Sequence, residues 1–179
     1  MRIISGAYKG KAIKQPLGIR PTQNKVRKAL FDILGDIQGL SFLELFAGSG
    51  AVGFEAASRG AKGLALVEDN RACQLAINKN IAALGLTNCR LYSKEAIAAI
   101  KALHKEQRRF EIIFFDPPYY SDVGKKTLQT LEAYDILAPN GFIIAQHFKK
   151  DVLPEPLGDL ILFKQSHYGD TVLSFYRKG

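Results

Sequence analysis

Residues 114 to 121 read FFDPPYYS, an apolar run that closes on an acid, two prolines and two tyrosines. Successive prolines fix φ and carry no amide hydrogen, so the segment continues neither a sheet nor a helix, and its carbonyls stay available as acceptors. Asp116 and the Pro117 carbonyl then make an acceptor-only corner, stiffened by Pro118, while Tyr119 offers a flat face to a planar base. Such a corner suits an amino group bearing two hydrogens. The exocyclic amine of a base is a poor nucleophile because its lone pair is delocalised into the ring. Acceptors that grip its hydrogens aim the nitrogen and stabilise the positive charge growing on it. As structure alone, the same residues read as a turn with a packed tyrosine, and Tyr120 reads as a surface or packing residue.

A second cluster lies upstream. In FAGSGAVGFEAASRG, Gly48, Gly50 and Gly53 have GxGxxG spacing between an apolar run and a helical pattern that opens near Ala51. Glycine lets a backbone approach a ligand without a Cβ in the way, and a helix N-terminus presents free N–H groups. Glu68, 20 residues beyond Gly48 and at the end of the next apolar run, is placed to accept from both hydroxyls of a ribose. These features fit NAD and S-adenosylmethionine alike. Asp69 and Asn70 either contact the same ligand or cap the following helix.

Both clusters need elements to hold them. The runs SFLELF (41 to 46), GLALVE (63 to 68), NCRLY (88 to 92), FEIIFFD (110 to 116) and GFIIAQ (141 to 146) read as buried strands separated by helix-like stretches. That alternation predicts an α/β fold, a mostly parallel sheet covered on both faces. Strand candidates within 160 to 168 and 171 to 176 are joined tightly at YGDT and must pair antiparallel at one edge, which makes seven strands. Ligands in such sheets bind beyond the carboxyl ends of the strands at the topological switch, so Asp116 is expected to face the ligand of the glycine loop. Upstream, RIISG and KAIKQP read as a small hairpin. Thr22 can cap a helix that carries Val26, Leu30, Ile33 and Leu34 on one apolar face.

The chain has 179 residues, 47% of them hydrophobic, enough for one well-buried domain. It divides into a basic extension, 1–40, and a core domain, 41–179. Arg2, Lys9, Lys11, Lys14, Arg20, Lys25, Arg27 and Lys28 precede the first acid, Asp32, and account for the whole net charge of +8. A neutral body with a basic leader predicts a local polyanion contact, with Arg2, Lys9, Lys11, Arg20, Lys25 and Arg27 as its candidates; a solvated arm is the simpler alternative. Cys73, Cys89 and the scattered histidines lack metal-ligand spacing, so no metal is expected. Without a membrane span or signal-peptide pattern, a cytoplasmic protein is expected, with no membrane contact and no obligate protein partner.

The motifs MRIISGAYKGKAI, RPTQNKVRKALFDIL, LELFAGSGAVGFEAASRGA, FFDPPYY and YGDTVLSFYRK follow one another along nearly the whole chain. In that order they resemble the bacterial RsmD-like family, class I methyltransferases with a Rossmann-like sheet that modify the exocyclic N2 of a guanine in small-subunit (16S) ribosomal RNA using S-adenosylmethionine. The resemblance implies that Phe46, Ala47, Gly48, Ser49 and Gly50 line the methionine end of the cofactor. Glu68 would take its ribose and Glu95 would sit beside its adenine, with Asp69 and Ala96 as further cofactor-binding candidates. Asp116, Pro117, Pro118 and Tyr119 would hold the base. The RPT segment, including Arg20 and Thr22, would lie near the cofactor's methionine and the RNA entrance. Departures from the family pattern are Glu95 in place of an aspartate, Asn24 and Lys28 at positions more often occupied otherwise, and Gln146 where glutamate is frequent.

Forty leading residues are few for reading duplex DNA, which favours an unpaired base in a ribosomal RNA loop, presented by a subunit or assembly intermediate. Transfer would be a direct in-line displacement with no covalent enzyme intermediate. Three other functions share parts of the pattern. A DNA adenine N6 methyltransferase would use both motifs, an NAD-dependent dehydrogenase only the first, and a non-catalytic RNA-binding assembly factor only the fold and the basic leader.

Overall fold

The computed structural model describes residues 1–16, 18, 24–119 and 121–179; Arg20, Thr22 and Tyr120, named above, lie outside them. In chain order the elements are α1 (Asn24–Leu34), β1 (Ser41–Leu45), α2 (Ala51–Ser58), β2 (Gly63–Val67), α3 (Arg71–Leu84), β3 (Cys89–Tyr92) and α4 (Ala96–Lys105). They continue with β4 (Phe110–Phe115), α5 (Val123–Ala133), β5 (Leu137–Phe148), β6 (Leu160–Tyr168) and β7 (Thr171–Lys178). The seven strands form one sheet in the order β3-β2-β1-β4-β5-β7-β6. Five are parallel; β7 enters antiparallel between β5 and β6. The expected strands are all present. β5 begins four residues before its expected start because the Pro139-Asn140-Gly141 break is absorbed as a register shift against β4, with Asn140 at φ 60°.

Side-chain alternation sorts this sheet into two faces. Phe42, Leu64, Leu66, Ile112, Phe114 and Ile144 pack on one side with residues of α1, α2 and α3. Leu43, Leu45, Ala65, Val67, Ile113, Phe115, Ile143 and Ala145 pack on the other with α4 and α5. The same period of two carries Glu44, Glu68, Asp116 and Gln146 onto the first face, at or just past the carboxyl ends of β1, β2, β4 and β5. Strand succession reverses between β1 and β4, so this row of polar residues stands at the topological switch.

Helix α2 is buried on nearly every side, and a helix of that kind needs cover all round. The sheet supplies one wall. The leader supplies the other, with Ile3 and Ile13 at 2% and 3% exposure inside the same core as α1 and α2. Ile3, Ile13 and the inner face of α1 therefore share one core with α2. The expected hairpin reduces to a single antiparallel bridge, Arg2 to Ala12. Ile3 N and Ile13 N still bond across the leader, to the Lys11 and Met1 carbonyls, while other amides turn to α2: Ile4 N and Ser5 N donate to the Glu55 carboxylate at 2.8 and 3.0 Å, and Tyr8 N donates to Ser58 Oγ at 2.9 Å.

This packing corrects one residue of the basic leader. Arg27 was expected on the RNA surface, but it is fully buried. Its Nη2 donates to the Arg2 carbonyl at 2.6 Å and to Asn24 Oδ1 at 3.1 Å, Nη1 contacts Met1 Sδ at 2.8 Å, and Nε lies 3.9 Å from the Glu55 carboxylate. Sitting one residue past Val26 and four before Phe31, it falls on the inner stripe of α1, so its charge is spent inside the protein. Burial pulls its pKa down, against the pull of Glu55.

Candidate active site

A cavity of about 670 Å³ opens above β1 and β4, within the size range of small-ligand sites. One wall is the loop from Phe46 to Ser49. It leaves β1 through Phe46 at φ 58°, a left-handed conformation that an aromatic residue rarely adopts and that costs on the order of 1 kcal/mol. Gly48 (φ 55°) and Gly50 (φ 76°) follow, and Gly50 N donates to the Ala47 carbonyl at 2.7 Å to close the turn before α2. Gly53 is required for contact: a Cβ there would lie 2.5 Å from Leu66 Cδ2 and 2.8 Å from Glu44 Oε2. Its amide instead donates to that Glu44 oxygen at 2.8 Å, anchoring α2 to β1.

Glu68 ties this loop to the next one. Gly48 N donates to Oε2 at 2.6 Å and Asn70 N to Oε1 at 2.9 Å, which leaves a second lone pair on each oxygen for a ligand hydroxyl. Burial raises its pKa, and the two amide hydrogen bonds oppose the rise. Asn70 resolves as the N-cap of α3, its Oδ1 accepting from Ala72 N and Cys73 N. Asp69 lines the cavity from an exposed position.

The opposite wall is the DPPY segment. Asp116 follows β4, one position past the Phe115–Ala145 pair, so it stands beside Gln146 of β5. Gln146 Nε2 donates to Asp116 Oδ2 at 2.6 Å. The Pro118 carbonyl accepts from Ser121 Oγ at 2.7 Å, whereas the Pro117 carbonyl accepts from no group among the described residues. Tyr119 lines the cavity with its ring 6.1 Å from that of Phe148, at 35°. The third side is the β6–β7 turn, Tyr168 to Thr171, with Gly169 at φ 66°.

Of the residues singled out in the sequence, the cavity therefore collects Phe46, Ala47, Gly48, Ser49, Glu68, Asp69 and Asp116 to Tyr119. Three others do not line it. Gly50 is buried behind the loop as the cap of α2; Glu95 is exposed at the head of α4, beyond β3, and Ala96 is buried beneath it. Among the exposed leader cations, Lys11 sits over the Tyr8 ring at 5.2 Å and Arg2 donates to the Gly10 carbonyl at 2.7 Å; Lys9 and Lys25 are exposed as well.

Sequence reading missed Glu44, Gln146, Phe148 and the Tyr168–Thr171 turn. Glu44 and Gln146 did leave a signal, as single polar residues inside otherwise apolar strands. The turn was legible only as a tight connection, YGDT, and the insertion of β7 beside β5 is what brings it here. Glu44 is 3% exposed, and burial pushes its carboxyl up to about 8, despite hydrogen bonds from the amides of Gly53 and Val52. Five carboxyl groups, Glu44, Glu68, Asp69, Asp116 and Asp170, line the cavity, and no lysine, arginine or histidine stands among its described lining residues. Such a lining suits a ligand with positive charge. Among the described residues there is no group of three or more histidine, cysteine, aspartate or glutamate side chains able to hold a metal ion.

The strand order, glycine loop and acidic strand ends define a class I methyltransferase fold. A hypothetical protein of Thermus thermophilus superposes with a TM-score of 0.85 at 32% identity, over 98% of both chains. A family model described as conserved hypothetical protein 95 matches residues 1–177, and the chain belongs to that family, the RsmD family. Relatives include YlbH of Bacillus subtilis, 37% identical over 99% of both chains, and Ribosomal RNA small subunit methyltransferase D of Escherichia coli K12, 32% identical over 99% of this chain and 90% of that one.

Proposed function

We propose that this protein uses S-adenosylmethionine to methylate the exocyclic N2 amine of a guanine in small-subunit ribosomal RNA, on a protein-bound subunit or assembly intermediate. The observation that carries this reading is the pairing, across one acid-lined cavity, of the Phe46–Ser49 loop with Asp116, whose Oδ2 is held by Gln146. The full-length likeness to ribosomal RNA small subunit methyltransferase D supports the RNA substrate.

The cofactor fits the residues present. Its sulfonium and ammonium charges suit an acidic lining without a described cation, whereas the pyrophosphate of NAD would face that same acidic lining. Phe46 to Ser49 would cradle the methionine end and Glu68 the ribose hydroxyls. When bound, S-adenosylmethionine supplies an electrophilic methyl carbon. Asp116 and the Pro117 carbonyl accept the two amine hydrogens of the base, which orients the nitrogen lone pair into the cavity and stabilises the charge that develops there. Tyr119 and Phe148 provide the aromatic surface for the base. Arg2, Lys9, Lys11 and Lys25 offer an exposed basic flank for phosphates, with Arg20 a further candidate outside the described residues.

Labelled methyl transfer to small subunits, free ribosomal RNA and duplex DNA, followed by nucleoside analysis, tests this reading. Label is expected in N2-methylguanosine, strongest on subunits or their protein-bound RNA. Label in N6-methyladenine on DNA would replace the substrate assignment. Asp116→Ala is expected to slow turnover by about 10²-fold or more with cofactor affinity retained, since it removes an acceptor for the amine. Undiminished turnover would remove Asp116 from the mechanism.

A further inference from the structure

Gln146 is 4% exposed and lines the cavity floor. Only one end of its amide is satisfied: Nε2 donates to Asp116 Oδ2 at 2.6 Å, while Oε1 is buried with no hydrogen-bond partner among the described residues. A buried amide acceptor without a partner costs about 1–3 kcal/mol, so an amide kept for packing would be expected to use both ends. This one is oriented wholly by Asp116. The flipped orientation would set Oε1 against Oδ2, two acceptors in contact. Main-chain register supplies the pairing, because Phe115 pairs with Ala145, and a slip of one residue would turn Gln146 to the other face of the sheet.

The surroundings of Asp116 explain what the amide is for. Glu44 of β1 lies close enough for Asp116 and Glu68 to raise its pKa further, and Asp69 and Asp170 complete the acidic lining. Arg27 of α1, a buried cation, acts on Glu44 and Glu55. His147, next to Gln146, points to the other face, where Nε2 meets Ser174 Oγ at 2.8 Å. A protonated Asp116 would present a donor to an amine that is itself a donor. A hydrogen bond given to the carboxylate favours the charged, acceptor-only form.

The geometry points to Gln146 as a positioning residue that holds Asp116 ionised and rotationally fixed, so that it meets the substrate amine as an acceptor. The inference rests on the methyltransferase reading for its consequence and on the Gln146–Asp116 pair for its cause, and two measurements separate them. In the first, the protein is labelled at aspartate Cγ with ¹³C, Asp116 is assigned through Asp116→Asn, and its carboxyl signal is titrated in the parent and in Gln146→Met. The signal is expected to titrate at higher pH in the variant. An unmoved titration overturns the proposal whatever the enzyme does. A moved titration in a protein that methylates no RNA leaves the pair standing and removes the function.

The second measurement is the pH profile of single-turnover methyl transfer. Gln146→Met should lose about tenfold at the acidic end, with the loss shrinking as pH rises. Gln146→Glu should slope oppositely. Its introduced carboxyl shares a proton with Asp116 at the acidic end and donates as the amide does, whereas at the alkaline end both ionise, repel and slow the reaction. Profiles parallel to the parent in both variants, merely lowered, would show that Gln146 only supports the fold. The glutamate variant keeps the size and polarity of the side chain, so the comparison survives poor folding of the methionine variant.

Discussion

Glu55→Ala is the perturbation that most directly tests how the leader is held. The carboxylate of Glu55 is fully buried and accepts from Ile4 N at 2.8 Å, Ser5 N at 3.0 Å and Arg59 Nε at 3.0 Å, with Arg27 Nε 3.9 Å away. Truncation leaves Arg27 in the core without its counter-charge, a loss of about 3–5 kcal/mol for broken buried pairs. Two leader amides also lose their acceptor, at about 1–3 kcal/mol each if they stay dry. They need not stay dry, because the leader can lift from α2 and rehydrate, which caps the sum. Arg59 is 19% exposed and recovers most of its loss from water. The expected destabilisation is about 4 kcal/mol by urea denaturation, a large share of the roughly 5–15 kcal/mol that a domain has. Hydrogen exchange at the amides of Ile4 and Ser5 should quicken in step. Glu55→Gln, which retains one acceptor oxygen, should fall about midway. A loss under about 1 kcal/mol, with Ile4 and Ser5 still protected, would show that the buried network does not dock the leader.

Two further outcomes follow from the site. Glu44, raised to about 8 in the folded protein, keeps its proton across a range where an unfolded glutamate has released it. The native state therefore binds more protons between about pH 4.5 and 8, and its contribution to stability falls as pH rises through that window. Glu44→Gln should remove this decline while keeping an acceptor for Gly53, so its advantage over the parent in urea should grow from pH 5 to pH 8; a constant difference would contradict the protonated state. Gly53→Ala forces a methyl against Leu66, Leu64 and Glu44 and should cost about 2 kcal/mol, lowering Tm by about 6 °C in differential scanning calorimetry. An unchanged Tm would show that α2 can shift to admit it.

What could be read from the sequence divides along physical lines. Strands buried on both faces leave continuous apolar runs, so the sheet and its switch point were legible, and the motifs that end those runs came with it. Glu68 and Asp116 are legible for the same reason, being the first polar residues after β2 and β4. Arg27 was not. Its type and neighbours describe a solvated charge, and its burial depends on Glu55, an acid on another helix that faces it only after α1 and α2 dock. The amides of Ile4, Ser5, Ala7 and Tyr8 likewise find their acceptors on α2, which local pairing rules do not consider. Glu95 illustrates a different limit: a motif position can be assigned by likeness while its side chain, at the head of α4, stands outside the cavity in this structure. Gln146 was visible as an amide in an apolar strand, but its partner became apparent only from the register of β4 against β5.

The late insertion of β7 has a consequence for synthesis. Its slot lies between β5 and β6, and the turn preceding it closes one side of the cavity. A chain emerging from the ribosome in order has the glycine loop and Asp116 long before residues 171 to 178 arrive, yet β5 then lacks its outer neighbour and the cavity lacks its third side. The glycine-loop and DPPY walls of the cavity are thus translated early and enclosed last. Chains arrested before β7 should expose the edge of β5 and be vulnerable to aggregation or proteolysis, so completion of the sheet doubles as a checkpoint on completion of the cavity.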